Sequence, residues 1–223
     1  MRKFVSTLSL SILAGLLIGL GGFVNLYCNL KFNQPIAGAI FFTMGLIFVC
    51  FLGCNLFTGK AGYVFENKLS YTLDVLIMIL GNFIGASIIG LIFMYVNDLD
   101  KTLLSNFINN KIATNTSTLS YGILFFKSVL AGFFVFFAVE AFKKFTSPVA
   151  KIIGVILSIG TMVLIGAEHS VANCFYFVAS SPLVSASNAI FVLPSLLVSI
   201  IGNVIGSLFI WFLFFISRKI VLK

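Results

Sequence analysis

Ala167-Glu168-His169-Ser170-Val171-Ala172-Asn173 breaks an apolar run that otherwise reaches from about residue 152 to about residue 184. This stretch holds the single histidine of the chain and one of its six acids. Ionisable groups set in hydrocarbon cost several kcal/mol unless they face protein or water, and inside membranes they mark functional sites.

The surroundings are apolar. Of 223 residues, 60% are hydrophobic and 9% charged, with mean hydropathy +1.16. A soluble domain needs about 25% charged residues. The apolar residues fall into blocks of roughly twenty, the length of a bilayer crossing. They read as helices, because they lack strand alternation and are too long for barrel strands. The chain is therefore expected to be an all-α polytopic membrane protein with six transmembrane helices, near 5–27, 36–57, 71–96, 121–142, 150–184 and 189–216. No cleavage site follows the first block, so it is not read as a signal peptide, and the N-terminal tail ahead of it is too short for a large gating element.

The formal charge of +8 does not point to nucleic acid, because the basic residues sit between and beside the apolar blocks as topology signals. With both termini on one side, that side carries Arg2, Lys3, Lys60, Lys68, Lys143, Lys144, Lys151, Arg218, Lys219 and Lys223. The other carries Lys31, Lys101 and Lys111, with Lys127 at the start of the fourth block. The bias places both ends in the cytoplasm and turns the polar 97–120 loop outward. Asn115-Thr116-Ser117 in that loop fits a glycosylation sequon but occurs easily by chance. Cys28, Cys50, Cys54 and Cys174 lack metal-site spacing and read as small buried hydrophobes.

Two halves of the chain match. Ser11-Ile12-Leu13-Ala14-Gly15 pairs with Ser128-Val129-Leu130-Ala131-Gly132, and Gly53-Cys54-Asn55 with Gly166-Ala167-Glu168. Gly81-Asn82-Phe83-Ile84-Gly85 pairs with Gly202-Asn203-Val204-Ile205-Gly206. The displacements are 117, 113 and 121 positions. Three blocks per repeat make the second copy run the opposite way. The expectation is a single channel domain over 1–223, built as a 3+3 inverted repeat (about 5–96 and 121–216) with broken helices two and five. Such folds place their site where the two breaks meet, here Asn55 to Lys60 against Glu168 to Asn173. The paired glycines allow close helix approach, and Asn82 and Asn203 are positioned to hydrogen-bond the backbone freed by the breaks.

Glu168-His169-Ser170-Val171-Ala172-Asn173, Leu56-Phe57-Thr58-Gly59 and Leu80-Gly81-Asn82-Phe83-Ile84-Gly85 resemble the motifs of the formate/nitrite transporter family. Ala14-Gly15 to Gly21-Gly22 and Gly202-Asn203 fit as well, so the resemblance covers essentially the whole chain. It implies an aquaporin-like homopentamer in the cell inner (plasma) membrane, with a pore in each protomer for small monovalent anions such as formate, nitrite or hydrosulfide. No cofactor is implied. The resemblance points to His169 as the pore-facing histidine between two apolar constrictions, to Thr58 as the threonine opposite it, and to Lys151 as a source of positive potential. It puts Asn173 beside the pore and the constrictions near Leu52, Leu56, Met162 and Phe175. Asn55, Lys60, Cys174, Ala131-Gly132 and Glu140 depart from the residues common at their positions. Glu168, Asn55, Gly59, Asn82 and Asn203 are expected to support the site, Glu168 by accepting backbone N–H bonds, and Lys60 to reach toward the cytoplasmic surface.

The chemistry is independent of the resemblance. A bare monovalent anion pays on the order of 20 kcal/mol by an idealised Born estimate to enter low dielectric, whereas a neutral weak acid passes far more easily. His169, with an ordinary pKa near ~6.5, is suited to lend a proton or a hydrogen bond there. A channel for water or small neutral solutes shares the half-helix logic, but its paired Asn-Pro-Ala boxes are missing. A membrane metalloenzyme wants more than one histidine.

Overall fold

The computed structural model describes residues 2–114 and 119–221, with side chains for all of these except Ala186 and 218–221. The Asn115-Thr116-Ser117 triplet and Lys223 lie outside the described residues, as do the side chains of Arg218 and Lys219. Every element among the described residues is helical.

Helix α1 (Arg2–Leu26) runs on through a π-helical turn, Tyr27–Lys31. Asn33 at φ 52° and Pro35 at the first helical position then set the start of α2 (Pro35–Phe51). Helix α3 (Phe57–Lys60) is a single turn that tightens into a 3-10 segment, Ala61–Glu66. Next come α4 (Ser70–Val96), α5 (Lys101–Asn109), α6 (Tyr121–Lys144) and α7 (Pro148–Leu164). Helix α8 (Ser170–Ala179) and the long α9 (Ala186–Val221), which contains Pro194, complete the chain.

Four stretches, Arg2–Lys31, Ser70–Val96, Tyr121–Lys144 and Ser187–Ser217, are long and apolar enough to cross a membrane. The 17-residue α2 and α7 are not. At 1.5 Å per residue they reach about 26 Å, short of the ~30 Å hydrocarbon core. Each stops at a glycine-capped end of the same kind. Gly53 and Gly166 both adopt φ 67°, a left-handed conformation that costs L side chains energy. Cys54 N–H donates to Val49 O at 2.9 Å, and Ala167 N–H to Met162 O at 3.0 Å, closing both ends as Schellman turns. The 150–184 block is therefore a helix, an extended break and a shorter helix, and the 36–57 block a helix and a break that lead into the short α3 at Phe57.

The polar 97–120 loop contains α5. Asp100 caps it by accepting from Thr102 N–H (2.8 Å) and Leu103 N–H (2.9 Å), and its Leu104 and Ile108 are buried. The sixth apolar block, expected over 189–216, lies inside the longer α9.

Helix α1 packs along α4, and α6 along α9. Glycine makes both contacts close. A Cβ on Gly15 would lie 2.0 Å from Asn82 O, and one on Gly85 2.0 Å from Ile12 O. The matching positions Gly132 and Gly206 would meet Asn203 O at 2.2 Å and Val129 O at 2.1 Å. Short α2 and α7 pack on each other and on this frame, and α8 lies against α4. The outer surface carries exposed Ile40, Leu73, Leu76, Leu80, Leu157 and Ile201, a coat suited to lipid or to neighbouring subunits rather than to water.

Candidate functional site

The two breaks are held by two asparagines in the same way. Asn82 Oδ1 accepts from Phe57 N–H at 2.9 Å, while its Nδ2 donates to Ser11 O (2.8 Å) and Asn55 O (2.7 Å). Asn203 Oδ1 accepts from Ser170 N–H at 2.9 Å, and its Nδ2 donates to Ser128 O (2.8 Å) and Glu168 O (3.0 Å). Asn55 N–H donates to Leu10 O and Glu168 N–H to Lys127 O, each at 3.2 Å. Backbone that has left its helix would otherwise be unsatisfied in an apolar interior, so these amides make the breaks possible.

Between the breaks, Thr58 Oγ1 stands 3.0 Å from His169 Nε2, with both residues buried. Thr58 is placed by α3, whose carbonyl O at Thr58 accepts from Ser207 Oγ at 2.6 Å. The Cβ-free Gly59 lets α3 approach Val139 of α6. His169 is the N-cap of α8, and its Nδ1 accepts from Ala172 N–H at 3.4 Å. With Nδ1 used as an acceptor, the proton of the neutral ring sits on Nε2 and points at Thr58.

A cavity lies on either side of this pair. One of about 200 Å³, toward α5, is lined by Asn25, Phe42, Lys111, Met162, His169, Asn173 and Tyr176 among others. The other, about 170 Å³, toward α3, is lined by Val49, Cys50, Cys54, Leu56, Lys60, Phe142 and Lys143 among others. Between them a chamber of about 10 Å³ is bounded by Ile18, Phe42, Leu46, Leu56, Val135, Ile159, Met162 and His169. That is about the space one water occupies.

Charge stands at both mouths. Lys111 Nζ lies 3.2 and 3.1 Å from the two carboxylate oxygens of Glu168 and over the rings of Phe107 and Tyr176. In the α3-side cavity, Lys60 Nζ donates to Asn55 Oδ1 at 2.5 Å. Lys143 Nζ donates to the Tyr63 hydroxyl at 2.5 Å, and that hydroxyl bonds to Glu140.

The structure brings together His169, Thr58, Leu56 and Asn173 of the expected pore residues, and Asn55, Asn82, Asn203 and Gly59 around them. It does not bring Leu52, Phe175 or Lys151. Leu52 caps α2 and is 57% exposed, because the Schellman turn throws it away from the interior. Phe175 is a packing ring, edge-on to Phe93 at 5.7 Å and against Gly22. Lys151 lies over the Phe142 ring at 4.9 Å and borders neither cavity. Glu168 also differs from expectation, since its carboxylate takes the Lys111 ammonium rather than backbone N–H groups. Lys60 turns into the cavity instead of reaching for the surface. Sequence reasoning missed Lys111, Asn25, Phe42 and Ile159. All four cysteines are free thiols, and no group of three His, Cys, Asp or Glu among the described residues is close enough to hold a metal ion.

A helical bundle with two broken helices, whose breaks meet at a buried polar pair between two charged cavities, defines a membrane transport protein. The chain belongs to the formate/nitrite transporter family, whose model, described as "Formate/nitrite transporter", matches residues 1–217. It is 28% identical over 194 residues to the "Uncharacterized transporter YrhG" of Bacillus subtilis (strain 168), covering 82% of this chain and 72% of that one. Among solved structures it resembles an "FNT family ion channel" with TM-score 0.81 at 22% identity, over 96% of this chain and 90% of the other. A "Pentameric formate channel with formate bound" gives TM-score 0.78 at 20% identity, over 100% and 99% of the two chains. At these identities the two structures speak for the fold.

Proposed function

We propose that this protein is a channel for small monovalent anions of weak acids (formate, nitrite or hydrosulfide), with His169 at the centre of the pore as proton or hydrogen-bond partner. The observation that carries this reading is the Thr58–His169 contact, set between two cavities and beside an apolar chamber of about 10 Å³. Lys60 and Lys143 on the α3 side draw an anion in, while on the other side the Lys111 ammonium, balanced by Glu168, offers a polar mouth without net charge. The apolar walls of Phe42, Leu56, Ile159 and Met162 then reject it as a bare charge, given the Born cost. It crosses only if the charge is shared with a donor. His169 Nε2–H donating to Thr58 Oγ1 leaves the Thr58 hydroxyl proton for the passing anion, and the two groups can exchange partners as it moves.

The donor form of His169 is the better supported of its two roles. An imidazolium would forfeit the Ala172 N–H bond and set a positive charge at the positive end of α8.

The frame proposed around this site is a single domain of six crossings in two inverted halves, about 5–96 and 121–216. The matching bonds of Asn82 and Asn203, and the matching turns at Gly53 and Gly166, support it. The lysine and arginine bias supports cytoplasmic termini in a plasma membrane, which makes the α3-side cavity cytoplasmic and the α5-side cavity external. A homopentamer is proposed from the apolar outer faces and the pentameric relative. The reading makes the protein a conduit and not an enzyme.

Purified protein in proteoliposomes tests this. Formate, nitrite or hydrosulfide flux above protein-free vesicles is the expected result. Water or glycerol permeation without anion flux would replace it with an aquaporin-like channel for small neutral solutes.

A further inference from the structure

The α3-side cavity gathers more positive charge than negative. Lys60 and Lys143 both line it, and none of its described lining residues is acidic. Lys60 Nζ gives its hydrogen bond to the neutral amide of Asn55 at 2.5 Å. Lys143 shares the Glu140 carboxylate with Lys144, at 3.8 and 3.6 Å, and the Tyr63 hydroxyl bonds to that carboxylate as well. Glu66 also acts on Lys143, but from an exposed position where salt and water screen it. Three ammonium groups thus stand against one buried carboxylate, and two of them face the same space.

Their placement follows from the first break. Lys60 ends the single turn of α3, and Asn55, in the extended backbone before it, draws the lysine back over the cavity. Lys143 lies in the last turn of α6, where a cation is favoured, with its ammonium 4.0 Å from the centre of the Tyr63 ring and bonded to the Tyr63 hydroxyl. Two like charges fixed at one cavity attract a counter-ion, and attract it more strongly the higher its charge. The cavity, about 170 Å³, has room for a tetrahedral oxyanion, and the chamber of about 10 Å³ beyond it does not. Doubling an ion's charge also raises the idealised Born cost of entering that chamber about fourfold. The α5-side mouth lacks this pull, because Lys111 is balanced by Glu168.

We infer that the α3-side cavity is a binding site for a small dianionic oxyanion, sulfate or hydrogen phosphate, which lodges between Lys60 and Lys143 and blocks the pore from that side. The site stands on the cavity and its charges, while the block rests on the pore reading above. A monovalent anion is held more weakly and moves on, as conduction requires. The dianion engages both ammonium groups through charge-assisted hydrogen bonds and is refused by the chamber. It is a blocker and not a passenger.

The test measures binding of radiolabelled sulfate to the detergent-solubilised protein and, separately, its effect on formate flux in phosphatidylcholine vesicles, which hold no anionic lipid. The wild type should bind sulfate saturably, with affinity lowered about tenfold in Lys60→Gln and in Lys143→Gln. Affinity should stay within about twofold in Lys101→Met, which removes one charge at the start of α5. Sulfate should slow formate flux, and about tenfold more of it should be needed in each glutamine variant, read against that variant's own flux without sulfate. Should the glutamine variants not fold, the wild type alone decides, because bound sulfate should slow the reaction of Cys50, which lines the cavity, with a neutral thiol reagent. No sulfate binding, equal binding in wild type and both glutamine variants, or unprotected Cys50 overturns the site. Sulfate that binds without slowing formate, or that crosses with it, overturns the block. A wild type that binds sulfate but passes no anion leaves the site standing and overturns the pore reading.

Discussion

Asn203→Ala removes one side chain and strands groups on three segments. The Ser170 N–H, donated to Oδ1 at 2.9 Å, sits at the first position of α8 and has no helical acceptor. The Glu168 carbonyl, which accepts from Nδ2 at 3.0 Å, lies in the extended break. The Ser128 carbonyl belongs to the interior of α6 and keeps its helical donor, so its loss counts little. The buried Ser170 hydroxyl, which donates to Oδ1 at 2.7 Å, loses its acceptor too. Three stranded groups in an apolar interior, at about 1–3 kcal/mol each, give about 3–9 kcal/mol. For a chain of this size that corresponds to a fall in Tm on the order of 10 °C. Asn82→Ala should fall by a similar amount, because it strands Phe57 N–H and the Asn55 carbonyl in the same way. Thermal unfolding of the detergent-solubilised protein, followed by size-exclusion fluorescence, measures both. Shifts under about 2 °C in both variants would refute the idea that these amides make the breaks possible.

Other expectations follow from single contacts. Gly15→Val or Gly132→Val drives a side chain into the Asn82 or Asn203 carbonyl, contacts of 2.0 and 2.2 Å already at Cβ, and should abolish folded protein in expression trials. Lys111→Met leaves a buried Glu168 without its cation and should cost about 3 kcal/mol. Most of that should return in the double variant with Glu168→Gln, as unfolding of the two proteins will show. The hydrogen bond from Lys31 holds the Asp98 carboxyl below its ordinary range. Its small stabilisation is therefore present above the ordinary carboxylate pKa and lost as pH falls through the depressed value. Asp98→Asn should unfold slightly sooner than wild type near neutral pH and at low salt, and the two should converge in strong acid or high salt.

Much of this architecture is legible in the residues. Block lengths give the long helices, and the matched glycines give both the turns at Gly53 and Gly166 and the close α1–α4 and α6–α9 contacts. Thr58 and His169 are named by their motifs, and Asn82 and Asn203 by their place in the repeat. What the sequence hides is which way a side chain leaves a break. Leu52 and Leu56 look equivalent beside Gly53, yet one caps a turn and is exposed while the other bounds the chamber. Phe175 follows the break as closely as any residue but packs on Gly22, and Lys151 ends on an aromatic ring. Lys111 was beyond reach because its partnership with Glu168 spans 57 positions and depends on how the loop folds back. A signal for α5 did exist, in Asp100 followed by Leu103, Leu104, Phe107 and Ile108, an N-cap with a helical apolar face. For Asn25, an amide late in an apolar helix, the signal was its polarity alone.

The central claim is that an anion crosses at the Thr58–His169 contact with its charge shared. Formate flux across a pH series, measured for His169→Asn and His169→Phe, tests it most directly. The asparagine keeps a donor toward Thr58 and should retain part of the flux, while the phenylalanine should reduce it to the level of protein-free vesicles. Full flux with an unchanged pH profile in both variants would contradict the account.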